Sequence, residues 1–303
     1  MLDTQAKISD TRGMNKLPLA TRVQILHMLC EGSAMRAISR VTGVSINTVT
    51  KLLVDAGKAC AAYHDEHVRG LKASRIQCDE IWAFCYSKQK NVASAKRKDL
   101  AYGDVWTWTA LATESKLIVS YLSGGRDSDY AMALMDDLRQ RLANRVQLTT
   151  DGHRACLQAV EEAFGDDIDY AMLVKLYGAT TDPEHRHSPA ECIGTRKTKI
   201  TGNPDRDHVS TSYVERQNLT MRMSMRRFTR LTNAHSKKLE NHHHAQALYF
   251  MFYNFARINS AVKMSPAMAA GIETRLWEME DIAKLIPETQ AGKRGPYRPR
   301  ISN

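Results

Sequence analysis

Residues 76–84 of the chain read IQCDEIWAF, and an acidic pair interrupts this apolar segment. The apolar residues predict a β-strand over residues 77–86. A carboxylate inside such a strand is costly to bury without a partner, so we expect one acid of the pair to have a role in function. Asp79 and Glu80 point to opposite faces of a strand, and periodicity alone does not choose between them.

The segments after this strand predict an α/β fold. The order strand-strand-strand-helix-strand-helix-strand indicates a mixed sheet with flanking helices. A polar, Pro- and His-containing stretch at 177–209 predicts a loop insertion. Further strands are predicted at 105–111, 117–122, 146–150 and 170–176, and helices at 127–142, 153–164, 211–226 and 239–259.

Two further acids lie where a metal site can form. Asp151 directly follows the strand predicted at 146–150, and ligand sites of open sheets lie at strand ends; a turn or helix N-cap is the alternative. Glu215 lies on a predicted helix and, taken alone, is typical of a surface residue. Carboxylates from separate elements are ligands that Mg²⁺ prefers, and two ions about 3.5–4 Å apart form a known catalytic arrangement.

The charge of the chain favours a nucleic-acid partner. The 303 residues have a formal net charge of +10 and a pI near 9.3. An acidic protein or membrane surface would also suit this charge, but no basic amphipathic helix stands out. The polar N-terminus, the absence of a long apolar run and six scattered cysteines predict a cytoplasmic protein without a membrane partner.

The N-terminal region predicts a DNA-binding unit. Apolar spacing indicates three short helices within 16–57, with a Gly43 turn before the third, which is the pattern of a helix-turn-helix. An ordinary three-helix bundle is the alternative. A flexible leader (1–15) precedes this unit and a connector (58–74) follows it. The third helix offers side chains that can contact bases and phosphates: Asn47, Thr48, Thr50 and Lys51.

Basic residues follow Glu215 on its predicted helix. Seven residues make about two turns, so Glu215, Arg222 and Arg226 are expected to share one face. Together with Arg216, these arginines are candidate phosphate contacts; a solvated face with ion pairs is the alternative. His153, two residues after Asp151, either contacts the scissile phosphate or begins the next helix. The other histidine groups, near 185–192 and at 242–244, lack the spacing of a zinc site.

Several of these segments together resemble one protein family. DEIW at 79–82, TDGH at 150–153, SYVERQN at 212–218, LYFMFYNF at 248–255 and MSPAMAAG at 264–271 resemble DDE transposases of the bacterial insertion-sequence-one type. The resemblance covers roughly residues 14–286. One departure is that this chain lacks the cysteine zinc finger that founding members have before the helix-turn-helix.

The resemblance implies a function and a set of roles. A ribonuclease-H-like catalytic domain at 75–286 would follow the helix-turn-helix, with a basic disordered tail at 287–303. Asp79, Asp151 and Glu215 would be catalytic metal ligands for two Mg²⁺ or Mn²⁺ ions, and Arg222 would steady the site or the DNA. The enzyme would nick double-stranded DNA at terminal inverted repeats and transfer the 3′-hydroxyl end to target DNA, as a homo-oligomer at the bacterial nucleoid. The alternatives are a helix-turn-helix regulator with a ligand-sensing domain and a ribonuclease-H-like nuclease without strand transfer.

Overall fold

The protein has a mixed α/β fold built on one six-stranded sheet. The computed structural model describes residues 16–94, 99, 101–178, 192–229 and 232–288. The predicted leader, most of the predicted tail and part of the predicted loop insertion lie outside those residues. None of the helices in the described ranges has the length and apolar content needed to cross a membrane.

The strands agree well with the predicted positions, with one addition. The structure contains β1 (Arg75–Cys85), β2 (Gly103–Ala112), β3 (Ile118–Gly124), β4 (Gln147–Thr150), β5 (Asp169–Tyr177) and β6 (Cys192–Thr201).

The described helices flank the sheet or precede it. They are α1 (Leu19–Cys30), α2 (Met35–Thr42), α3 (Ile46–His67), α4 (Ser128–Arg141), α5 (Ala155–Phe164), α6 (Ser212–Ser224), α7 (Leu239–Met251), α8 (Pro266–Ala269) and α9 (Met279–Lys284).

Strand β1 lies inside the sheet, whose order is β3-β2-β1-β4-β5-β6. It is antiparallel to β2 and parallel to β4, and the β1–β4 pairing ends at Gln77 opposite Thr149. Asp79 and Asp151 each lie two residues beyond that last pair. Asp79 and Asp151 therefore both lie just beyond the last β1–β4 pair, at the point where these two parallel strands separate.

Helices cover both faces of β1. Cys78 belongs to the larger buried cluster, which includes Met135 of α4 and Cys156 of α5. Ile81 belongs to a second cluster with Val214 of α6 and Tyr249 of α7. This alternation follows from the period of two along a strand, and it places Asp79 toward α6 and Glu80 toward α4 and α5.

The three N-terminal helices pack directly on the rest of the molecule. Leu26 of α1 and Leu53 of α3 belong to the same buried cluster as Leu248 of α7 and Phe255, which follows α7. Helices α3 and α7 approach closely at Gly57, where an added Cβ would lie 2.5 Å from the Cβ of His244. Glycine is therefore required at this crossing.

Helix α3 is longer than the sequence analysis predicted. The three predicted helices were expected to end by residue 57, but α3 continues to His67, so most of the predicted connector at 58–74 is helical. Buried Cys60 and His64 explain the extension, because this part of the helix also packs against the core. His64 Nε2 lies 3.3 Å from the Ile118 carbonyl oxygen of strand β3.

Strand β6 lies inside the stretch that was predicted to be a loop. It pairs antiparallel with β5 at the edge of the sheet. Its sequence, CIGTRKTKIT, is mostly exposed or half-buried and has no apolar alternation. Charged side chains are common on edge strands, since they discourage pairing with other chains. They also interrupt the apolar alternation by which a strand is predicted from sequence.

Two helix ends also differ from the prediction. Helix α6 ends at Ser224, so Arg226 lies in the following 3₁₀ turn, Arg226–Phe228, rather than on the face of Glu215. Helix α7 ends at Met251 and passes into a π-helical turn, Phe252–Ala256. Within this turn, the buried Asn254 side chain accepts a hydrogen bond from the Ile118 N–H and donates one to the Ile118 carbonyl.

Candidate functional site

The three acids predicted from the sequence line one pocket. Asp79 of β1, Asp151 after β4 and Glu215 in the first turn of α6 border a cavity of about 670 Å³. Neighbouring strands bring the two aspartates together, and α6 reaches the same cavity from the face that Asp79 occupies. Residues separated by 136 positions in the chain therefore meet in one place.

Asp79 is held from two directions. Its Oδ1 accepts the Glu80 N–H at 2.9 Å, and its Oδ2 accepts a hydrogen bond from Asn218 Nδ2 of α6 at 2.8 Å. Burial, with smaller contributions from nearby carboxylates including Glu80, raises the pKa of Asp79 from 3.8 to about 7. Ionised Asp79 is thus costly in the protein alone, and a neighbouring cation would lower that cost.

Glu80 also belongs to the site. One carboxylate oxygen from each of Asp79, Glu80 and Asp151 lies within 4.8 Å of the others, and this is the one set of three metal-ligand side chains that the described residues bring together. Strand periodicity left open which of Asp79 and Glu80 belongs to the site, and in the structure both do. The strands diverge here, so acids on opposite faces of β1 both approach Asp151.

Arg126 is the counter-charge of this acidic cluster. Its Nε and Nη2 both lie 2.6 Å from Glu80 Oε1, and its Nη2 lies 4.0 Å from Asp151 Oδ2. Its guanidinium also lies over the ring of Trp106. Burial and Asp151 raise the pKa of Glu80, while Arg126 opposes the rise. Arg126 precedes α4 in a Gly-rich turn, and the sequence analysis did not identify it.

Glu215 occupies a separate wall of the pocket. Its Oε2 lies 2.5 Å from Nζ of Lys175 at the end of β5, and its Oε1 accepts the Thr211 hydroxyl at 2.5 Å. Glu215 is not part of the close cluster of Asp79, Glu80 and Asp151. Lys175 was not predicted from the sequence either, because the residue pattern of β5 does not indicate which end of the strand lies near the acids.

His153 lies beside Asp151, as its position in the sequence indicated. The backbone N–H of His153 donates to Asp151 Oδ1 at 2.9 Å. The His153 ring contacts the Trp108 ring edge-on, with 5.6 Å between the ring centroids. Among the described residues no partner satisfies the buried Nδ1 atom. His153 is also one of the residues that line the pocket.

The predicted DNA contacts on α3 are exposed or half-buried, but several already have partners. Thr48 interacts with the N-cap residue Ser45, the Thr50 hydroxyl donates to the Ile46 carbonyl, and Lys51 pairs with Asp55 at 2.6 Å. Asn47 is exposed at the start of the same helix.

The arginines predicted beside Glu215 do not line the acidic pocket. Arg216 is exposed and Arg222 half-buried on α6, whereas Arg226 lines a second cleft together with Thr50. The cationic residues that line the acidic pocket are Arg126, Arg154 and Lys175. The prediction of a clamp on one helix face is thus wrong for Arg226, because the helix ends before it.

The oxygen-rich donor set suits a hard divalent cation. Mg²⁺ and Mn²⁺ prefer carboxylate oxygens, and the close cluster provides three carboxylates with Glu215 across the cavity. Burial, and to a smaller extent the neighbouring carboxylates, raises the pKa of Asp79 to about 7, and a bound cation would offset the cost of ionising it. The site can therefore hold a metal ion, and its cationic walls leave room for an anionic substrate.

Comparison with known proteins adds no family assignment. A scan of the chain against protein-family models gave no match, and a search of curated proteins gave none either. The functional interpretation therefore depends on the geometry of the pocket.

Proposed function

We propose that the protein is a metal-dependent DNA transposase of the DDE type, with a ribonuclease-H-like body and an N-terminal helix-turn-helix. One observation carries the proposal: Asp79, Asp151 and Glu215, distant in sequence and on three different elements, line the same cavity. Ordinary surface acids would have no reason to converge in this way.

The surroundings of the acids support a phosphodiester substrate. Arg126, Arg154 and Lys175 line the same cavity, and the whole chain has a formal net charge of +10. Cations near a carboxylate site attract phosphate and hold it by charge-assisted hydrogen bonds. Acids for the metal and bases for the phosphate are the combination that phosphoryl transfer requires.

The residues of the chain have separable tasks in this reaction. Asp79 and Asp151 would hold Mg²⁺ or Mn²⁺, with Glu215 completing the acidic wall. A bound ion supplies Lewis acidity and lowers the pKa of water. Asn218 orients Asp79, and Arg126 keeps Glu80 turned toward the cluster. Lys175 places an ammonium group where a phosphate oxygen can be bound.

The N-terminal helices support the DNA-binding part of the proposal. Gly43 has φ +70° between α2 and α3, and the Ser45 side chain caps α3. A left-handed turn followed by a capped helix is the arrangement of a helix-turn-helix. We propose that α3 binds terminal inverted repeats through Asn47 and its neighbours, and that two ends are joined by a homo-oligomer.

A strand-transfer assay tests the proposal. Purified protein is incubated with a labelled fragment carrying the DNA that naturally flanks its coding region, a supercoiled target plasmid, and Mg²⁺, Mn²⁺ or Ca²⁺. Joined products are expected with Mg²⁺ or Mn²⁺, and they should disappear in Asp79→Asn, Asp151→Asn and Glu215→Gln. Glu161→Gln, on the exposed side of α5, is the matched control.

The outcomes separate the alternatives. Cleavage without joined products indicates a nuclease, and metal-independent DNA binding without cleavage indicates a regulator. Unchanged joining in one of the three variants would remove that residue from the site.

A further inference from the structure

A second cleft lies between the N-terminal helices and the segment that follows α6. It has a volume of about 770 Å³, and it shares no lining residue with the acidic pocket. Helices α1, α2 and α3, with the turn between α1 and α2, form one wall, and residues of the ranges 225–227, 232–241 and 245–249 form the other. Cavities of 300–1,000 Å³ are typical of sites for small organic groups.

The charge around this cleft has a single sign. No Asp or Glu is among its described lining residues, and the basic side chains that line it are Arg36, Arg226, Arg227, Lys237 and His235. Arg36, Arg226 and Lys237 are exposed, so their charges are free to contact a ligand at the mouth of the cleft. An anionic group is the complement of this rim.

Arg227 gives the strongest indication of an anion. Its guanidinium donates to Ser236 Oγ at 3.0 Å and contacts Met35 Sδ at 3.7 Å. No carboxylate among the described residues forms an ion pair with it, and its enclosure by protein lowers its pKa to about 10. The guanidinium remains charged at neutral pH, and an enclosed charge without a counter-ion is costly. A ligand anion would remove that cost.

The floor of the cleft is apolar, unlike its rim. Buried Leu53, Leu248 and Tyr249 line it below the cations. At the mouth, α2 begins at Met35 after Ala34, which offers no side-chain cap to the first N–H groups of the helix. A ligand with an anionic part at the rim and a flat organic part on the floor matches both features.

We propose that this cleft binds an unpaired nucleotide of DNA, with the phosphate at Arg36, Arg227 and Lys237 and the base over the apolar floor. This inference rests on the proposed function for its DNA partner. Thr50, on the helix predicted to read DNA, lines the cleft, so a strand held by α3 passes the opening. Base stacking on side chains binds single strands with little dependence on sequence.

The test measures fluorescence anisotropy with a labelled single-stranded oligonucleotide, and with the same strand lacking its bases, over a series of salt concentrations. The wild type should bind the base-bearing strand roughly tenfold more tightly than the abasic strand. In Arg36→Gln/Lys237→Gln, the dependence of log Kd on log salt should decrease by about 0.7 for each cation removed. Arg139→Gln/Lys284→Gln, with the same loss of charge elsewhere, should leave the slope unchanged.

Two further variants test the interior of the cleft. Thr50→Trp fills the cavity without removing charge and should abolish the preference for bases. Arg227→Met should weaken DNA binding while the unfolding temperature stays level or rises, because a charge without a counter-ion is removed. A fall in unfolding temperature with unchanged DNA binding would show that Arg227 is structural and would overturn its role.

The remaining outcomes are distinct from failure of the proposed function. An unchanged salt slope in Arg36→Gln/Lys237→Gln, or equal binding of the two strands by the wild type, overturns the inference even if DNA strands are still joined. Competition by a free deoxynucleoside monophosphate as strong as that by the oligonucleotide would make the cleft a small-molecule site and would also overturn it. Loss of joined products in the metal-site variants tests only the acidic pocket.

Discussion

The Asp79→Asn substitution removes one charge from the acidic cluster while preserving the shape of the side chain. Burial raises the pKa of Asp79 from the ordinary 3.8 of an aspartate to about 7 in the folded protein. A raised pKa of an acid means that the folded state resists ionisation. The wild type therefore loses stability as pH rises from 3.8 to about 7, and this loss is absent below 3.8.

The size of the effect follows from that pKa difference. Because the folded pKa exceeds the unfolded one, the metal-free folded state loses about 4 kcal/mol of stability at pH 8 and about 1.7 kcal/mol at pH 5, as upper limits. Asparagine avoids this cost at both pH values. Its amide can also be accommodated, because the Asn218 Oδ1 atom is buried without a partner among the described residues and can accept a hydrogen bond once the Asn218 amide turns over.

Urea unfolding in EDTA at pH 5 and pH 8 measures this difference. We expect Asp79→Asn to exceed the wild type in free energy of unfolding by about 2.5 kcal/mol more at pH 8 than at pH 5. Any cost of the amide itself is the same at both values and cancels. The control is Asp136→Asn, on the exposed side of α4. An equal difference at the two pH values would refute the argument that Asp79 resists ionisation.

Three further predictions concern metal binding and stability. Mn²⁺ at about 100 times its Kd should stabilise the wild type by about 2.7 kcal/mol in thermal unfolding, and Asp151→Asn should lose this gain while Asp136→Asn keeps it. Lys175→Met frees Glu215 from its ion pair and should tighten Mn²⁺ binding by a factor of about 2 to 5 in calorimetry; weaker binding would show that Lys175 helps to build the site, and Lys199→Met on β6 is the control. Asn254→Ala removes the side chain that accepts from the Ile118 N–H and leaves the Ile118 carbonyl with His64 Nε2, so it should lower the free energy of unfolding by about 2 kcal/mol in urea. A loss as small as that of exposed Asn91→Ala would contradict the importance of these bonds.

The sequence predicted the parts of the site that depend on local pattern. Asp151 was expected at a strand end because the apolar run before it stops there, and Asp79 was recognised as an unusual acid in a strand. Both expectations depend on neighbours within a few residues. The place of Glu80 in the acidic cluster does not depend on near neighbours in the sequence, because it requires β1 and β4 to separate beyond Gln77 and Thr149.

Long-range packing accounts for what the sequence did not predict. Strand β6 is held by its pairing with β5, and its own residues show no apolar period. Arg126 and Lys175 become neighbours of the acids only when the turn before α4 and the end of β5 meet at one sheet edge. The continuation of α3 to His67 likewise depends on contacts with distant segments, including Ile118.

The crossing at Gly57 limits which N-terminal segments could replace the present one. A recombination event that joins a foreign N-terminal segment after α3 would set a new helix against the resident α7. Any residue other than glycine at the crossing would then collide with His244, whose Cβ would lie 2.5 Å from the added Cβ. The N-terminal segment is therefore not an interchangeable cassette, because a replacement that keeps the contact with α7 needs glycine at the crossing.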